Sequence, residues 1–83
     1  MHSTSKPAAV LIVNAGSSSV KWALFETGAS PVRVVAGRIE RIGISDGIVT
    51  VTRGATSEAQ RRHAQVPNHA AAVQVLIEQL AHT

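Results

Sequence analysis

The chain contains no cysteine and no tyrosine, and its only aromatic residues are Trp22 and Phe25. Without thiols there is no disulfide, no thiolate nucleophile and no Cys-ligated zinc, an absence that suits a reducing compartment. With two rings in 83 residues, the core has to be aliphatic, and no set of exposed aromatics is available for bases to stack on. The arginines Arg33, Arg38, Arg41, Arg53, Arg61 and Arg62 are dispersed, and only the last two are adjacent. The clustered basic footprint of a nucleic-acid binder is therefore missing. The net charge of +3 reads instead as solvated arginines that keep strand edges soluble. His2, His63, His69 and His82 never fall at a metal-ligand spacing. No apolar run approaches the roughly 20 residues that cross a bilayer. The run from Ala8 to Val13 is also too short for the core of a signal peptide, and no small-residue cleavage site follows it. The reading is a soluble, cytoplasmic protein without nucleic-acid or membrane partners, in which residues 1–8 form a flexible leader.

What is present reads as strands first and one helix last. "AVLIVN" is continuously apolar, as expected of a central strand covered on both faces. "SVKWALFE" alternates, with Val20, Trp22 and Leu24 on one face and Lys21, Ala23 and Phe25 on the other. "TGASP" is a turn cluster. "VRVVAGRIERI" reads as a third strand, with Gly37 marking a bulge or a crowded crossing. "IVTVTR" reads as a fourth strand, and "RRHAQV" as a weaker fifth. Near the C-terminus, Pro67 and Asn68 open a helix with Asn68 as N-cap. Val73, Leu76, Ile77 and Leu80 follow at the spacing of one buried stripe. His69, directly after the cap, reads as structural or solvated. About five antiparallel strands and one amphipathic helix make a two-layer α+β unit. A helix of about 15 residues is only about 22 Å long, so one sheet face is expected to want a cover from elsewhere, as in the opening portion of a larger protein.

The chemistry concentrates in "NAGSSSVK", residues 14–21. Gly16 permits a positive φ and a close backbone approach. Ser17, Ser18 and Ser19 each bring a hydroxyl and an N–H, and successive turn N–H groups can hold an anion. Lys21 aims a full charge across the same mouth. Asn14 offers an amide that reaches a phosphate oxygen or a metal-bound water. Such a set suits a polyphosphate with Mg²⁺. The spacing is neither that of a Walker A loop nor G-x-G-x-x-G. By residue type alone, the stretch reads equally well as a polar hairpin turn whose serines bond their own backbone. Glu40, between Arg38 and Arg41, reads as an exposed strand position or a local ion pair.

"VLIVNAGSSSVKWALF" resembles the opening strand–turn–strand of acetate kinases, in the acetokinase group of the actin, hexokinase and heat-shock-chaperone ATPase superfamily. "GRIERIG", residues 37–43, and "VPNHAAAVQVLIEQL" are similar to two further segments of that family. Trp22 stands where the family usually has Phe, and "GSSSVK" favours the acetate and propionate branch over the butyrate kinases. The resemblance implies a ribonuclease H-like fold, with residues 1–83 forming part of the N-terminal domain of a larger two-domain kinase. It implies ATP-dependent phosphorylation of acetate or propionate to an acyl phosphate, with ATP and Mg²⁺ required and a homodimer as the complete assembly. By the same resemblance Gly16, Ser17, Ser19 and Lys21 line the ATP phosphates, and Asn14 lies by the Mg²⁺, through water. The family's substrate-clamping arginines, transition-state histidine, catalytic aspartate and metal-binding glutamate belong to segments outside these residues, so no catalytic residue is assigned to Arg53, Asp46, His63 or Glu58. The chain alone is expected to be inactive. The competing expectation is a stand-alone anion-binding or protein-interaction module.

Overall fold

Alternating side chains need one covered face, and the chain provides it with a single antiparallel meander and one helix. The structure is a computed structural model that describes residues 8–44, 46–54 and 58–82. Its strands are β1 (Ala9–Ala15), β2 (Val20–Glu26), β3 (Val32–Glu40), β4 (Gly47–Arg53) and β5 (Ala59–Ala64), followed by α1 (His69–Ala81). They hydrogen-bond in the order β1-β2-β3-β4-β5, every pair antiparallel. The expected α+β arrangement of five strands and a closing helix is therefore observed. The expected leader at residues 1–8 lies, except for Ala8, outside the described residues.

Register sorts the side chains by face. Val20, Trp22 and Leu24 stand opposite Ile39, Gly37 and Val35 on β3, which in turn face Val49, Val51 and Arg53 on β4. This face carries the core: Val20, Trp22, Val35, Ile39, Val49 and Val51 are buried together with Ile42, Val66, Ala72 and Leu76. Lys21, Ala23, Ala36, Arg38, Thr50 and Thr52 share the opposite, helix-free face. Gly37 is a crowded crossing, as one of the two readings expected. A Cβ there would lie 2.4 Å from Trp22 Cζ2 and 2.8 Å from the Thr50 carbonyl oxygen. The bulge is elsewhere, at Val34, where the β2–β3 register slips between Leu24 and Phe25. Trp22 is 3% exposed, and its indole N–H finds no hydrogen-bond partner among the described residues. Such an orphan costs about 1–3 kcal/mol, which the packing of the ring has to offset.

Two sequence expectations are corrected. β1, expected to be central, lies at the edge of the sheet among the described residues: its neighbour there is β2, and all seven of its residues are exposed. The helix stripe is also rotated. Ala72 and Leu76 are buried with Val75 and Leu80 against them, whereas Val73 and Ile77 are 46% and 54% exposed. The small Ala72 lets the helix approach the sheet closely, and that contact, not side-chain size, sets its rotation.

Both ends of α1 are fixed. Asn68 caps it, with Oδ1 accepting from the Ala71 N–H at 2.9 Å. At the other end Arg53 Nη2 donates to Gln79 Oε1 at 2.7 Å. The expected local ion pair forms between Arg38 Nε and Glu40 Oε1 at 3.1 Å, with both side chains about half exposed, so it adds little stability.

The crowding at Gly37 yields a stability prediction. Gly37→Ala has to displace both a buried ring and a strand backbone, and urea unfolding should show a loss on the order of 1–3 kcal/mol. Gly28→Ala meets nothing within 4 Å and should stay within about 0.5 kcal/mol of the parent. Equal midpoints for the two variants would contradict the close packing of Trp22 on β3.

Candidate phosphate-binding site

The last register pair of the first hairpin is Ala15 with Val20, so Gly16 to Ser19 form its connection. Gly16 N–H donates to the Ser19 carbonyl at 2.8 Å and closes the turn. Of the two freedoms Gly16 permits, it does not use a positive φ: the described glycines that do are Gly43 and Gly54. Its function is close approach, since a Cβ at Gly16 would lie 3.0 Å from Ser19 Oγ. The donors of this loop are therefore presented by turn geometry.

Segments distant in sequence hold the loop from behind. The Ile42 N–H donates to the Ser18 carbonyl at 3.0 Å. Next to it, the Gly43 N–H donates to the Val66 carbonyl at 2.8 Å. His69 Nε2 lies 2.7 Å from the Gly16 carbonyl oxygen; a carbonyl only accepts, so Nε2 is the donor. Ile42 is buried, which anchors this support in the core. Arg41 at φ 63° and Gly43 at φ 76° turn the chain so that both N–H groups point as they do.

These bonds engage three of the loop's four carbonyls; that of Ser17 has no partner among the described residues. The carbonyls of Gly16, Ser18 and Ser19 are occupied. Among the described residues, the N–H groups of Ser17, Ser18 and Ser19 have no protein partner, and none of the three hydroxyls bonds to the backbone. Serines that bond their own backbone, the plain-turn alternative, are therefore not what the structure contains. Ser17 is exposed, and Ser18 and Ser19 are half-buried.

Asn14 and Lys21 are directly paired across β1 and β2, one step in from the loop and on the helix-free face. Lys21 is exposed and has no acidic partner among the described residues. Its neighbour across β3 is Arg38, whose charge is already matched by Glu40. The expected site residues Asn14, Gly16, Ser17, Ser19 and Lys21 thus gather at one end of the sheet, with Asn14 and Lys21 on its helix-free face. A depression of about 250 Å³ beside Lys21 is lined by Ala36, Arg38, Thr50 and Thr52. That is below the roughly 300–1,000 Å³ typical of a small-molecule pocket, so these residues form one wall and not an enclosure. No group of three His, Cys, Asp or Glu side chains suited to a metal ion occurs among the described residues.

Reasoning from sequence missed the supports. Ile42, Gly43 and His69 lie in the segments "GRIERIG" and "VPNH", but nothing in their spacing says that they meet the serine loop. The available signal was a glycine directly after a strand, which marks a left-handed turn.

Comparison with known proteins bears on the same residues. A model of the acetokinase family matches residues 9–83. Acetate kinase 1 of Lactococcus lactis subsp. lactis is 50% identical over 70 residues, covering 84% of this chain and 17% of that protein. The acetate kinases of Bacillus mycoides and Bacillus cytotoxicus are each 41% identical over 71 residues, covering 86% of this chain and 17% of theirs. The chain thus spans about a sixth of the length of these curated relatives.

The support behind the loop is testable. An alanine at Gly43 would carry a left-handed backbone at a cost of about 1–2 kcal/mol and place its Cβ 3.1 Å from the Pro67 carbonyl oxygen. Gly43→Ala should lower stability by that order and shift the amide resonances of Ser18 and Ser19. Unmoved serine resonances in a destabilised variant would show that the turn at Gly43 does not hold the loop.

Proposed function

The chain belongs to the acetokinase family, and from that premise we propose that it supplies the N-terminal phosphate-binding wall of a cytoplasmic acetate kinase. The complete enzyme would transfer the γ-phosphoryl group of ATP to acetate, giving acetyl phosphate and ADP in a reversible reaction, with propionate as the close alternative acceptor. One observation carries this reading. The Gly16–Ser19 loop holds its Gly16 and Ser18 carbonyls inward, leaves three N–H groups without partners among the described residues, and stands beside the exposed Lys21 ammonium, which has no acidic partner among them.

Phosphoryl transfer needs positioning and charge neutralisation more than covalent work from the protein. Ser17 and Ser19 would hold phosphate oxygens by N–H and hydroxyl, Gly16 would allow the backbone to come close, and Lys21 would place a positive charge on the same oxygens. Mg²⁺ would supply further neutralisation across the β- and γ-phosphates. The donor set here fits an indirectly held ion. Asn14 is a neutral amide beside a cation, suited to reaching a metal-bound water, and Mg²⁺ usually keeps several waters. The acetate pocket and the groups acting on the transferred phosphoryl would come from the remainder of the kinase. That remainder would also cover the apolar edge strand β1, where Val10, Leu11, Ile12 and Val13 are 42–55% exposed. The family resemblance further suggests a homodimer.

Two assays test the reading. In the complete kinase, Lys21→Ala should raise KM for ATP and lower kcat. Losing a charged hydrogen bond worth about 1.5–3 kcal/mol corresponds to roughly 10- to 100-fold in kcat/KM. Unchanged kinetics would remove Lys21 from the phosphate site. The 83-residue chain given ATP, Mg²⁺ and acetate should form no acyl phosphate trappable by hydroxylamine, and sustained turnover would show that the catalytic groups lie within it.

A further inference from the structure

The loop donors are aimed, and the aiming can be assigned to particular bonds. A peptide unit is planar and trans, so the carbonyl of one residue and the N–H of the next point in opposite directions from a shared plane. Whatever holds the Gly16 carbonyl therefore also orients the Ser17 N–H, and whatever holds the Ser18 carbonyl orients the Ser19 N–H. The second holder is the backbone of Ile42. The first is a side chain, His69, 53 residues away in sequence.

We infer that His69 is a positioning residue for the phosphate-binding loop: by donating from Nε2 to the Gly16 carbonyl, it turns the Ser17 N–H away from α1 and toward the anion. The inference rests on the phosphate-site reading given above. The helix does not need this imidazole for its own start. Asn68 Oδ1 already takes the Ala71 N–H at 2.9 Å, and the Asn68 carbonyl takes the Ala72 N–H at 3.2 Å. His69 occupies the first helical position, where its side chain is free to reach across to the hairpin. A second effect follows from the same bond. Engaging the Gly16 oxygen keeps its partial negative charge turned from the place where phosphate oxygens would sit. Freed, the Gly16–Ser17 plane could rotate and present a carbonyl to the anion, replacing attraction with repulsion. Only the Gly16–Ser17 plane depends on a side chain, so a single substitution can release one donor while Ile42 keeps the other.

The test uses the complete kinase with three variants: His69→Ala, His69→Gln and Lys21→Ala. A glutamine amide reaches about as far as Nε2 and can donate the same bond. The expected result for His69→Ala is a rise in KM for ATP of about three- to tenfold, the range of one net hydrogen bond, with KM for acetate unchanged. His69→Gln should recover most of that loss. If Lys21→Ala raises KM for ATP and His69→Ala does not, the positioning role is overturned while the phosphate site stands. If neither variant changes KM for ATP, the phosphate-site reading itself fails. A rise in both KM values with no recovery by glutamine would make His69 a general structural contact, which also overturns the inference. Should His69→Ala not fold, ¹⁵N-histidine NMR of the unsubstituted kinase decides: a protonated Nε2 coupled to the Gly16 carbonyl supports the role, and an unprotonated Nε2 refutes it.

Discussion

Planarity of the peptide bond is the constraint on which the site depends. A hairpin tip is ordinarily solvated on all sides, and its N–H and C=O groups point wherever thermal motion takes them. Here the carbonyls of Gly16 and Ser18 are held by His69 and Ile42, and that of Ser19 by the Gly16 N–H within the loop. Because each carbonyl shares a plane with the following N–H, holding the Gly16 and Ser18 carbonyls inward orients the Ser17 and Ser19 N–H groups outward. In the proposed phosphate site, the donors would owe their direction to groups that face away from the anion.

The rest of the fold can be understood as what brings those donors into place. Ile42 arrives because β3 is followed by a left-handed residue, Arg41, and because Ile42 itself is buried. His69 arrives because β4 and β5 return the chain across the sheet, and because Gly43 bonds the Val66 carbonyl just before α1 begins. The helix keeps its position through Ala72 and Leu76 on the core face, through Trp22 lying over a residue with no side chain, and through Arg53 holding Gln79 at the far end. Asn14 and Lys21 face the other way, on the side of the sheet that α1 leaves open. Asn14 and Lys21 of the candidate site and the supports of the loop therefore occupy opposite sides of one hairpin.

β1 presents the opposite situation. Long apolar edge strands without proline or charge are normally avoided, because they template unwanted pairing. In this chain the strand carries Asn14 of the site on one side and four exposed aliphatic residues along its length. Its hydrophobicity matches a buried position that α1 does not create. A strand of this kind fits a segment whose covering elements come from a longer kinase, of which the relatives provide examples nearly six times the length of the matched region.

Strand alternation in "SVKWALFE", the apolar run of β1, the glycine forced by crowding at position 37 and the Asn68 cap were all determined by local composition, because period, backbone freedom and capping act over a few residues. The residues of the site were legible for the same reason: glycine, hydroxyls and a lysine in succession make an anion loop conceivable. Local composition left an anion loop and a plain turn equally open. Only the tertiary structure decided how the loop is held, bonding the Gly16 and Ser18 carbonyls to His69 and Ile42 while the serine N–H groups have no partner among the described residues. It also decided that β1 lies at the edge and that α1 buries Ala72 instead of Val73. Those outcomes depend on which strand neighbours which and how closely a helix can approach, and distances of that kind are set by the packing of residues far apart in the chain.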